Sequence, residues 1–432
     1  MEIFNANVKN SIENEIINKE SIEREYYIGI DLNSDYAMVS YYCNNMETPE
    51  TVSATYGSEV FQIPQVLAKK INDINWLYGQ EAIKAAEADK ECFIANDFFK
   101  EESIEKTYEC FDDVFEGKDL LQIFLSKIIS LPSKIINCRI KPKVVISIKR
   151  INREIYEAFE DIGFRLGFKN HNFKVIDYKE SFYYYMINQE PQLSQNDVLL
   201  LCANSNILES YRLSKSHRTT PVVINIAYDS IDTFKSGEDK EFCAFLKQIL
   251  TNQRVTSVYL VGSGFDGNWL LESIQFLCKG RRVFIGKNLF SKGACYAAML
   301  KYNNSDSEYV YLGENDLKFN LSIKVLNRNQ MEFLTLVNAG DNYFEAKNSC
   351  EVILSKGNTI DFWKQLPDSR EAKIESISLK DLPLREDRVT RVKIVATPIS
   401  NNSIDIYVED MGFGEIYKSS NKSWHYVMSM PA

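Results

Sequence analysis

The sequence predicts an α/β protein with two similar lobes, followed by an all-β domain. Each lobe opens with two short apolar runs separated by a polar turn, at 26–42 and at 197–213, a pattern typical of a β-hairpin. In both stretches, apolar strand-like runs then alternate with segments of helical spacing, as in α/β domains. Beyond residue 312, short β-rich runs recur almost without helical spacing, which predicts a β-sandwich.

The boundaries between these parts follow from changes in composition. Residues 1–22 are rich in Asn and Glu and lack Pro and Gly, so we expect a helical or frayed segment. The polar stretch 303–308 ends the second α/β pattern and marks a linker. We therefore divide the chain into an N-terminal extension at 1–22, lobe I at 23–190, lobe II at 191–302, a linker at 303–312 and a β-sandwich at 313–432.

In lobe I, the elements follow from the period of the apolar residues. Residues 144–148 form a continuous apolar run and predict a buried strand. Ile155, Phe159 and Ile162 then share one helical face, and Gly167 ends that helix. The predicted strands are 26–31, 36–42, 51–67 with an interruption at Pro64, 143–148 and 173–176, and the predicted helices are 79–88, 119–131, 155–166 and 181–187.

Lobe II repeats this pattern of elements without repeating the residues themselves. Its predicted strands are 197–202, 210–213, 221–227, 257–261 and 283–285, and its predicted helices are 240–251, 269–278 and 291–301. In the C-terminal part, strand signals are separated by turn residues. The predicted strands there are 319–326, 333–337, 349–355, 372–378, 389–397, 404–409, 415–417 and 424–428.

Composition and charge exclude several classes of protein. Of the 432 residues, 45% are hydrophobic and 25% are charged, which excludes a disordered or collagen-like chain. With 50 basic and 60 acidic residues, the net charge of −10 argues against a nucleic-acid partner. The N-terminus has no signal-peptide pattern, and no apolar run reaches the ~20 residues that span a bilayer. We therefore expect a cytoplasmic protein with no membrane span.

Cysteine and histidine usage argues against a zinc site. The nine cysteines include no C-x-x-C pair, and the three histidines lie far apart in the sequence. Most cysteines stand in apolar runs, so we expect buried free thiols. The chain also has 24 Tyr and 25 Phe but only 18 Gly, and few glycines speak against several phosphate-binding loops.

Short motifs stand at 27–35 and 258–266, each an apolar strand-like run that ends in a polar turn. Together with the motifs named below, their order resembles the actin-like and heat-shock chaperone ATPase superfamily, most closely the DnaK-type chaperones. Residues 27–35 resemble that family's first phosphate loop, and 258–266 resemble its adenosine loop. The resemblance implies a duplicated, ribonuclease H-like, two-lobed ATPase fold and a peptide-binding β-sandwich. It also rests on residues 61–67, 78–82, 144–148, 293–298 and 309–312, and on the strand-like runs 377–383 and 404–410.

The resemblance implies ATP or ADP with magnesium as cofactors. Phosphates are met by backbone N–H groups on tight turns, and carboxylates at strand ends hold the hydrated metal. Asp31 is the candidate magnesium ligand, and Asp31, Glu180 and Lys100 are the candidate catalytic residues. The candidate nucleotide contacts are Asp31, Asn33, Ser34, Gly262, Ser263, Gly264 and Asp266. Structural roles compete with these: a strand-end turn for Asp31, a strand-to-helix turn for 262–264, and a helix N-cap for Asp266.

The chain departs from the family pattern where nucleotide chemistry takes place. Asp35 replaces a threonine of the first loop, and its carboxylate would repel phosphate. The second loop falls on 201–206, where Cys202 replaces the acid and no glycine remains. Tyr178 stands where the family has a glutamate, while Glu180 is displaced by two residues. Asn33 also replaces a glycine, a substitution that a left-handed conformation of asparagine would tolerate.

These departures predict a degenerate nucleotide site with no or very weak ATPase activity. We expect a divergent, DnaK-like scaffold or chaperone-like protein that binds a protein or peptide client. No room remains for the helical lid of the DnaK-type chaperones, and the aromatic excess suggests a cleft filled by packing. Two alternatives stay open: an active ATPase with a rearranged site around Asp31, and an actin-like polymer subunit.

Overall fold

The computed structural model describes residues 26–43, 46–54, 60–71, 73–100, 104–136, 140–204, 206–301 and 308–430. The predicted N-terminal extension at 1–22 and the first half of the predicted linker lie outside these residues. The chain divides into two compact units. Of the described residues, unit 1 holds those up to Gln189 and 286–301, and unit 2 holds 190–285 and 308–430.

The strands are numbered in chain order. They are β1 Tyr26–Leu32, β2 Tyr36–Cys43, β3 Glu50–Thr51, β4 Ile63–Pro64, β5 Val66–Lys69, β6 Leu77–Tyr78, β7 Phe93–Asn96, β8 Thr107–Cys110, β9 Asp113–Glu116, β10 Lys143–Ile148, β11 Phe173–Asp177, β12 Asp197–Asn204, β13 Ile207–Ser216, β14 Val222–Ile231, β15 Val255–Val261, β16 Arg282–Gly286, β17 Tyr309–Tyr311, β18 Asn320–Asn327, β19 Gln330–Val337, β20 Asn348–Leu354, β21 Thr359–Gln365, β22 Ala372–Ser378, β23 Thr390–Ser400, β24 Ser403–Asp410 and β25 Ser423–Ser429.

Capping residues mark both ends of the fourth helix. Asn152 caps the fourth helix by accepting a hydrogen bond from the Ile155 N–H at 2.8 Å, and Gly167 follows it with a φ of +73°. The α-helices are α1 Gly79–Ala88, α2 Gly117–Ile129, α3 Leu131–Ile136, α4 Arg153–Arg165, α5 Tyr178–Ile187, α6 Asp239–Leu250, α7 Glu272–Leu277 and α8 Leu289–Leu300. None of the described helices is long and apolar enough to cross a bilayer.

Sheet 1 organises unit 1, with the strand order β11-β10-β1-β2-β3 and β4 paired to β2. β1 runs parallel to β10 and antiparallel to β2, and β10 runs parallel to β11. Every residue of β1 is buried. β1 is therefore the central strand of this sheet, and side chains near its end are held by neighbours on both sides.

Helix α8 packs tightly against sheet 1 and α5. A Cβ added at Gly29 of β1 would lie 2.1 Å from the Cys295 nitrogen, and one at Gly293 would lie 2.1 Å from the Ser181 carbonyl oxygen. Only glycine fits at these two contacts. The sequence places this helix in lobe II, whereas its packing joins it to unit 1.

Sheet 2, in unit 2, repeats the topology of sheet 1. Its order is β16-β15-β12-β13-β14-β17. Its central strand β12 runs parallel to β15 and antiparallel to β13, and β13 runs antiparallel to β14. Tyr309–Tyr311, which the sequence places in the linker, forms β17 and pairs with β14. The hairpin that opens each half is thus confirmed, and each hairpin is extended by a parallel strand.

The C-terminal part is β-rich, as predicted. Sheet 3 has the order β19-β18-β21-β22 and sheet 4 the order β20-β23-β24-β25. One core contains side chains of both sheets, including Ile323 and Phe362 of sheet 3 and Ile394 and Ile406 of sheet 4. The protein is therefore mixed α/β with a β-rich C-terminal region.

Several predictions about elements were wrong in detail, among them the strand at 51–67, which is divided into β3, β4 and β5. Three others have a clear physical reason. Strand β21 was missed because Lys364 occupies an inward position, where it pairs with Glu375 at 2.5 Å. The predicted strand 415–417 is a turn closed by one isolated bridge between Phe413 and Tyr417. Helix α7 begins at Glu272 rather than at 269. The Asp239 carboxylate sets this start, because it accepts the backbone N–H groups of Glu272 and Ser273.

Candidate functional site

Asp31 is the residue to which the sequence gives most weight, and it lies near the end of the central strand β1. Its backbone is opposite Ser147 of β10 and Met38 of β2. The residue is 1% exposed. A buried carboxylate needs hydrogen-bond partners because its desolvation is costly.

Tyr178 supplies such a partner. Its hydroxyl donates to Asp31 Oδ1 at 2.6 Å, the short distance typical of an O–H bonded to a carboxylate. The ring of Tyr178 stacks on Phe290 of α8, with centroids 3.9 Å apart and planes 8° apart. Tyr178 at the start of α5 therefore bonds to Asp31 and is itself packed against Phe290 at the start of α8.

The start of α5 explains why Tyr178, and not Glu180, reaches Asp31. Asp177 caps the helix by accepting the Glu180 N–H at 2.7 Å, so α5 begins at Tyr178, three residues before the predicted start. Glu180 instead pairs with Lys301 at 2.6 Å, and the two side chains are 11% and 19% exposed. Glu180 is therefore engaged in an ion pair within unit 1.

The turn that resembles the first phosphate loop is closed by its own side chains. Asn33 Oδ1 accepts the N–H groups of Asp35 and Tyr36, both at 2.9 Å. Asn33 is not among the described residues with positive φ, so it uses its side chain rather than a left-handed backbone. Ser34 is exposed at the tip. Two N–H groups that a phosphate would need are thus bonded within the turn.

Lys100 lies on the surface of unit 1. Its ammonium pairs with Asp97 at 2.9 Å, and the lysine side chain is 58% exposed. Lys100, the candidate catalytic cation, is therefore engaged in a surface ion pair with Asp97.

The predicted adenosine loop belongs to unit 2 and packs on the end of β12. Gly262 has a φ of +102°, and a Cβ there would lie 2.3 Å from the Ala203 oxygen. A Cβ at Gly264 would lie 2.6 Å from the Ala203 Cβ. Ser263 and Asp266 are exposed. The two glycines thus allow this turn to pack closely against Ala203 of β12, within unit 2.

Cys202 stands in β12 where the second loop would need its acid. The residue is 2% exposed, and the Asn204 amide lies 3.5 Å from its sulfur. Across the part of the chain that the structure describes, no three His, Cys, Asp or Glu side chains are placed to share a metal ion. A hydrated magnesium ion needs carboxylate oxygens that are open to solvent. Asp31 is buried and Cys202 has no carboxylate, so these two residues do not fit a magnesium–nucleotide site.

Unit 2 also has an apolar surface that is exposed to solvent. The outer face of sheet 3 carries an apolar stripe, formed by Leu326 and Met331 at one end, Phe333 and Trp363 in the middle, and Ile374 at the other end. Strand register places these residues on one face, with the exposed Lys324 beside Phe333, and Phe333 and Trp363 touch with ring centroids 5.5 Å apart. Leu326, Met331, Phe333 and Ile374 are each 57–59% exposed. Contiguous exposed apolar surface of this kind marks interaction sites.

The apolar stripe borders an edge strand. β19 is the outermost strand of sheet 3, and residues 330–334 are exposed on both faces. Its sequence contains neither lysine nor proline, the residues that commonly block pairing at sheet edges. The sequence predicts only a strand at 333–337. The signal for an interaction surface is that Met331, Phe333 and Leu334 give this strand no consistent polar face.

Two sequence profiles cover most of the chain. The Family of unknown function (DUF5716) C-terminal matches residues 48–314, and the Domain of unknown function (DUF8552) matches residues 316–430. Their boundary falls between β17 and the first strand of sheet 3. A search of curated proteins finds no match. The match over 48–314 takes in more than half of the chain, and the protein therefore belongs to the family of unknown function DUF5716.

Proposed function

We propose that this protein is a divergent relative of the DnaK-type chaperones that binds an extended segment of a partner protein and does not use ATP. The observation that carries the proposal is the apolar stripe beside the open edge of β19. The two α/β halves are the scaffold that carries it.

The repeated sheet topology supports an actin-like, two-lobed ATPase fold. In sheets 1 and 2, a central strand pairs with an antiparallel hairpin partner on one side and a parallel strand on the other. Parallel neighbours require a crossover connection, here through α4 in sheet 1. A duplicated ribonuclease H-like unit has this arrangement in each half.

The surroundings of Asp31 support the loss of nucleotide chemistry. Asp31 is buried and its Oδ1 accepts the Tyr178 hydroxyl, so a magnesium ion there would compete with a hydrogen bond inside unit 1. The bonded turn at 33–36 and the neutral Cys202 point in the same direction. Each of these residues has a structural role within its own unit.

The geometry of β19 defines the partner as an extended polypeptide segment. Main-chain groups on the open edge of a sheet can pair only with another extended strand. The apolar stripe next to that edge favours a segment whose apolar residues alternate. A client without an extended apolar stretch would gain little at this surface.

Fluorescence anisotropy of the full chain with short labelled peptides tests the proposal. We expect a peptide of alternating valine and threonine to bind, and the same peptide with a central proline to bind at least about tenfold more weakly, because proline removes a donor. Phe333→Ser should weaken binding by a similar factor. Val427→Ser, which changes a 60% exposed valine of β25 in sheet 4, is the matched control and should bind as the wild type does.

Two results would contradict the proposal. One is equal binding by the wild type and Phe333→Ser. The other is self-association of the chain that Phe333→Ser abolishes, measured by sedimentation, because it would assign the edge of β19 to a second copy and favour a polymer subunit.

A further inference from the structure

A wide groove in unit 2 lies outside every site considered above. It runs between the β13–β14 loop at 217–221 and the turn that follows β21 at 365–370, with Asn338 and Val310 on its remaining sides. Its volume is about 690 Å³. Small-molecule sites commonly have volumes of ~300–1,000 Å³, so the groove has room for a ligand much larger than a single inorganic ion.

The ionisable side chains of the groove are all basic. His217 and Arg218 come from one wall and Arg370 from the other, and no Asp or Glu among the described residues lines it. This clustering stands out in a chain with a net charge of −10. Within the described part of the chain, neither Arg218 nor Arg370 forms an ion pair, unlike Arg165 or Arg385.

The two walls are joined by a hydrogen bond. Thr219 Oγ1 donates to the Pro367 carbonyl oxygen at 2.5 Å, which links the loop to the turn. Within the turn, the Ser369 N–H donates to the Leu366 carbonyl oxygen at 3.1 Å, and Gln365 Nε2 donates to the Ser369 carbonyl oxygen at 3.1 Å. The backbone that carries Arg218 and Arg370 is therefore held in place on both sides.

We propose that this groove binds a phosphorylated small organic molecule. Guanidinium groups present paired N–H donors that match the oxygens of a phosphate, and two arginines without carboxylate partners are available for it. Leu366, Pro367 and Val310 provide apolar lining for the organic part of the ligand. This site is independent of the apolar stripe and of the residues around Asp31.

Isothermal titration calorimetry of the full chain with phenyl phosphate, inorganic phosphate and benzyl alcohol tests this assignment. Phenyl phosphate should bind, benzyl alcohol should not, and inorganic phosphate should bind more weakly. Arg218→Ala and Arg370→Ala should each raise the Kd for phenyl phosphate at least about tenfold, which corresponds to the loss of one charge-assisted hydrogen bond. Arg218→Lys and Arg370→Lys should have Kd values between those of the wild type and of the alanine variants, because lysine keeps the charge and loses the paired donors.

Arg254→Ala is the matched control. Arg254 is also an exposed arginine of unit 2 without an ion pair among the described residues, but it does not line the groove. The proposal is wrong if none of the phosphate probes binds, or if Arg254→Ala weakens binding as much as Arg218→Ala. Equal affinities for inorganic phosphate and phenyl phosphate would also contradict it, because they would assign the groove to the free ion.

Discussion

Each unit contains a buried aspartate near the end of a strand, and the two are held in different ways. Asp31 of β1 and Asp410 of β24 are both 1% exposed. Asp31 accepts the Tyr178 hydroxyl, whereas Asp410 forms a two-pronged ion pair with Arg385, with both N–O distances at 2.7 Å. Asp410 also accepts the N–H and hydroxyl of Ser420 and the N–H of Gly412.

The comparison shows that a buried carboxylate alone does not identify a catalytic or metal site. Asp410 matches no nucleotide motif, and its bonds tie the 410–420 loop to Arg385. Asp31 does match a motif, yet its hydrogen bond joins β1 to α5 in a similar way. If both aspartates are structural, removing the partner of either should lower stability. Removing Arg385, the charged partner, should lower it more than removing the Tyr178 hydroxyl.

The largest effect is expected from Arg385→Ala. This change would leave the Asp410 charge buried without its cation, which costs about 3–5 kcal/mol of unfolding free energy. Urea unfolding followed by circular dichroism measures the loss. Arg254→Ala should leave the unfolding curve unchanged, and an equal response in the two variants would show that Asp410 does not depend on Arg385.

A smaller effect is expected from Tyr178→Phe. Losing a hydrogen bond to a charged group costs about 2 kcal/mol. Tyr42→Phe, in β2 of sheet 1, is the control from the same unit, since its hydroxyl forms no hydrogen bond to any described residue. If Tyr178→Phe is as stable as Tyr42→Phe, Asp31 does not depend on Tyr178 for its stability.

The acid side of the stability curve sharpens the comparison further. Burial alone would raise the pKa of Asp410, but Arg385 and the surrounding N–H and hydroxyl donors outweigh it and hold this pKa well below its usual value of about 3.9. A depressed pKa contributes stability above the unfolded-state value, and that stability is lost as the pH falls through the folded-state value. Wild type should therefore lose stability below about pH 4 more steeply than Asp410→Asn, as unfolding at several pH values will measure.

Local features were predictable from the sequence wherever one periodicity governs a segment. Helix α1 and strands β10 and β22 have the predicted bounds, because their apolar residues follow a single helical or strand pattern. Strand β21 was not predicted, because the inward Lys364 interrupts its apolar pattern. Lys364 is held by Glu375 and by the carbonyl of Ser429, and no local pattern reveals these two contacts.

The sites were less predictable because their members are distant in sequence. Asp31 and Tyr178 are 147 residues apart, and the two walls of the basic groove are separated by residues 222–364. The resemblance to chaperones drew attention to Asp31 and to Gly262 and Gly264. The contacts that occupy these residues depend on α5, α8 and β12, whose placement only the fold reveals.

Calorimetric titration of the full chain with ATP and magnesium, for the wild type and Asp31→Ala, tests the central claim most directly. If Asp31 is a structural group bonded to Tyr178, neither protein will bind the nucleotide, and Asp31→Ala will differ only in stability. Micromolar binding by the wild type that Asp31→Ala abolishes while remaining folded would contradict the account and favour an ATPase with a rearranged site.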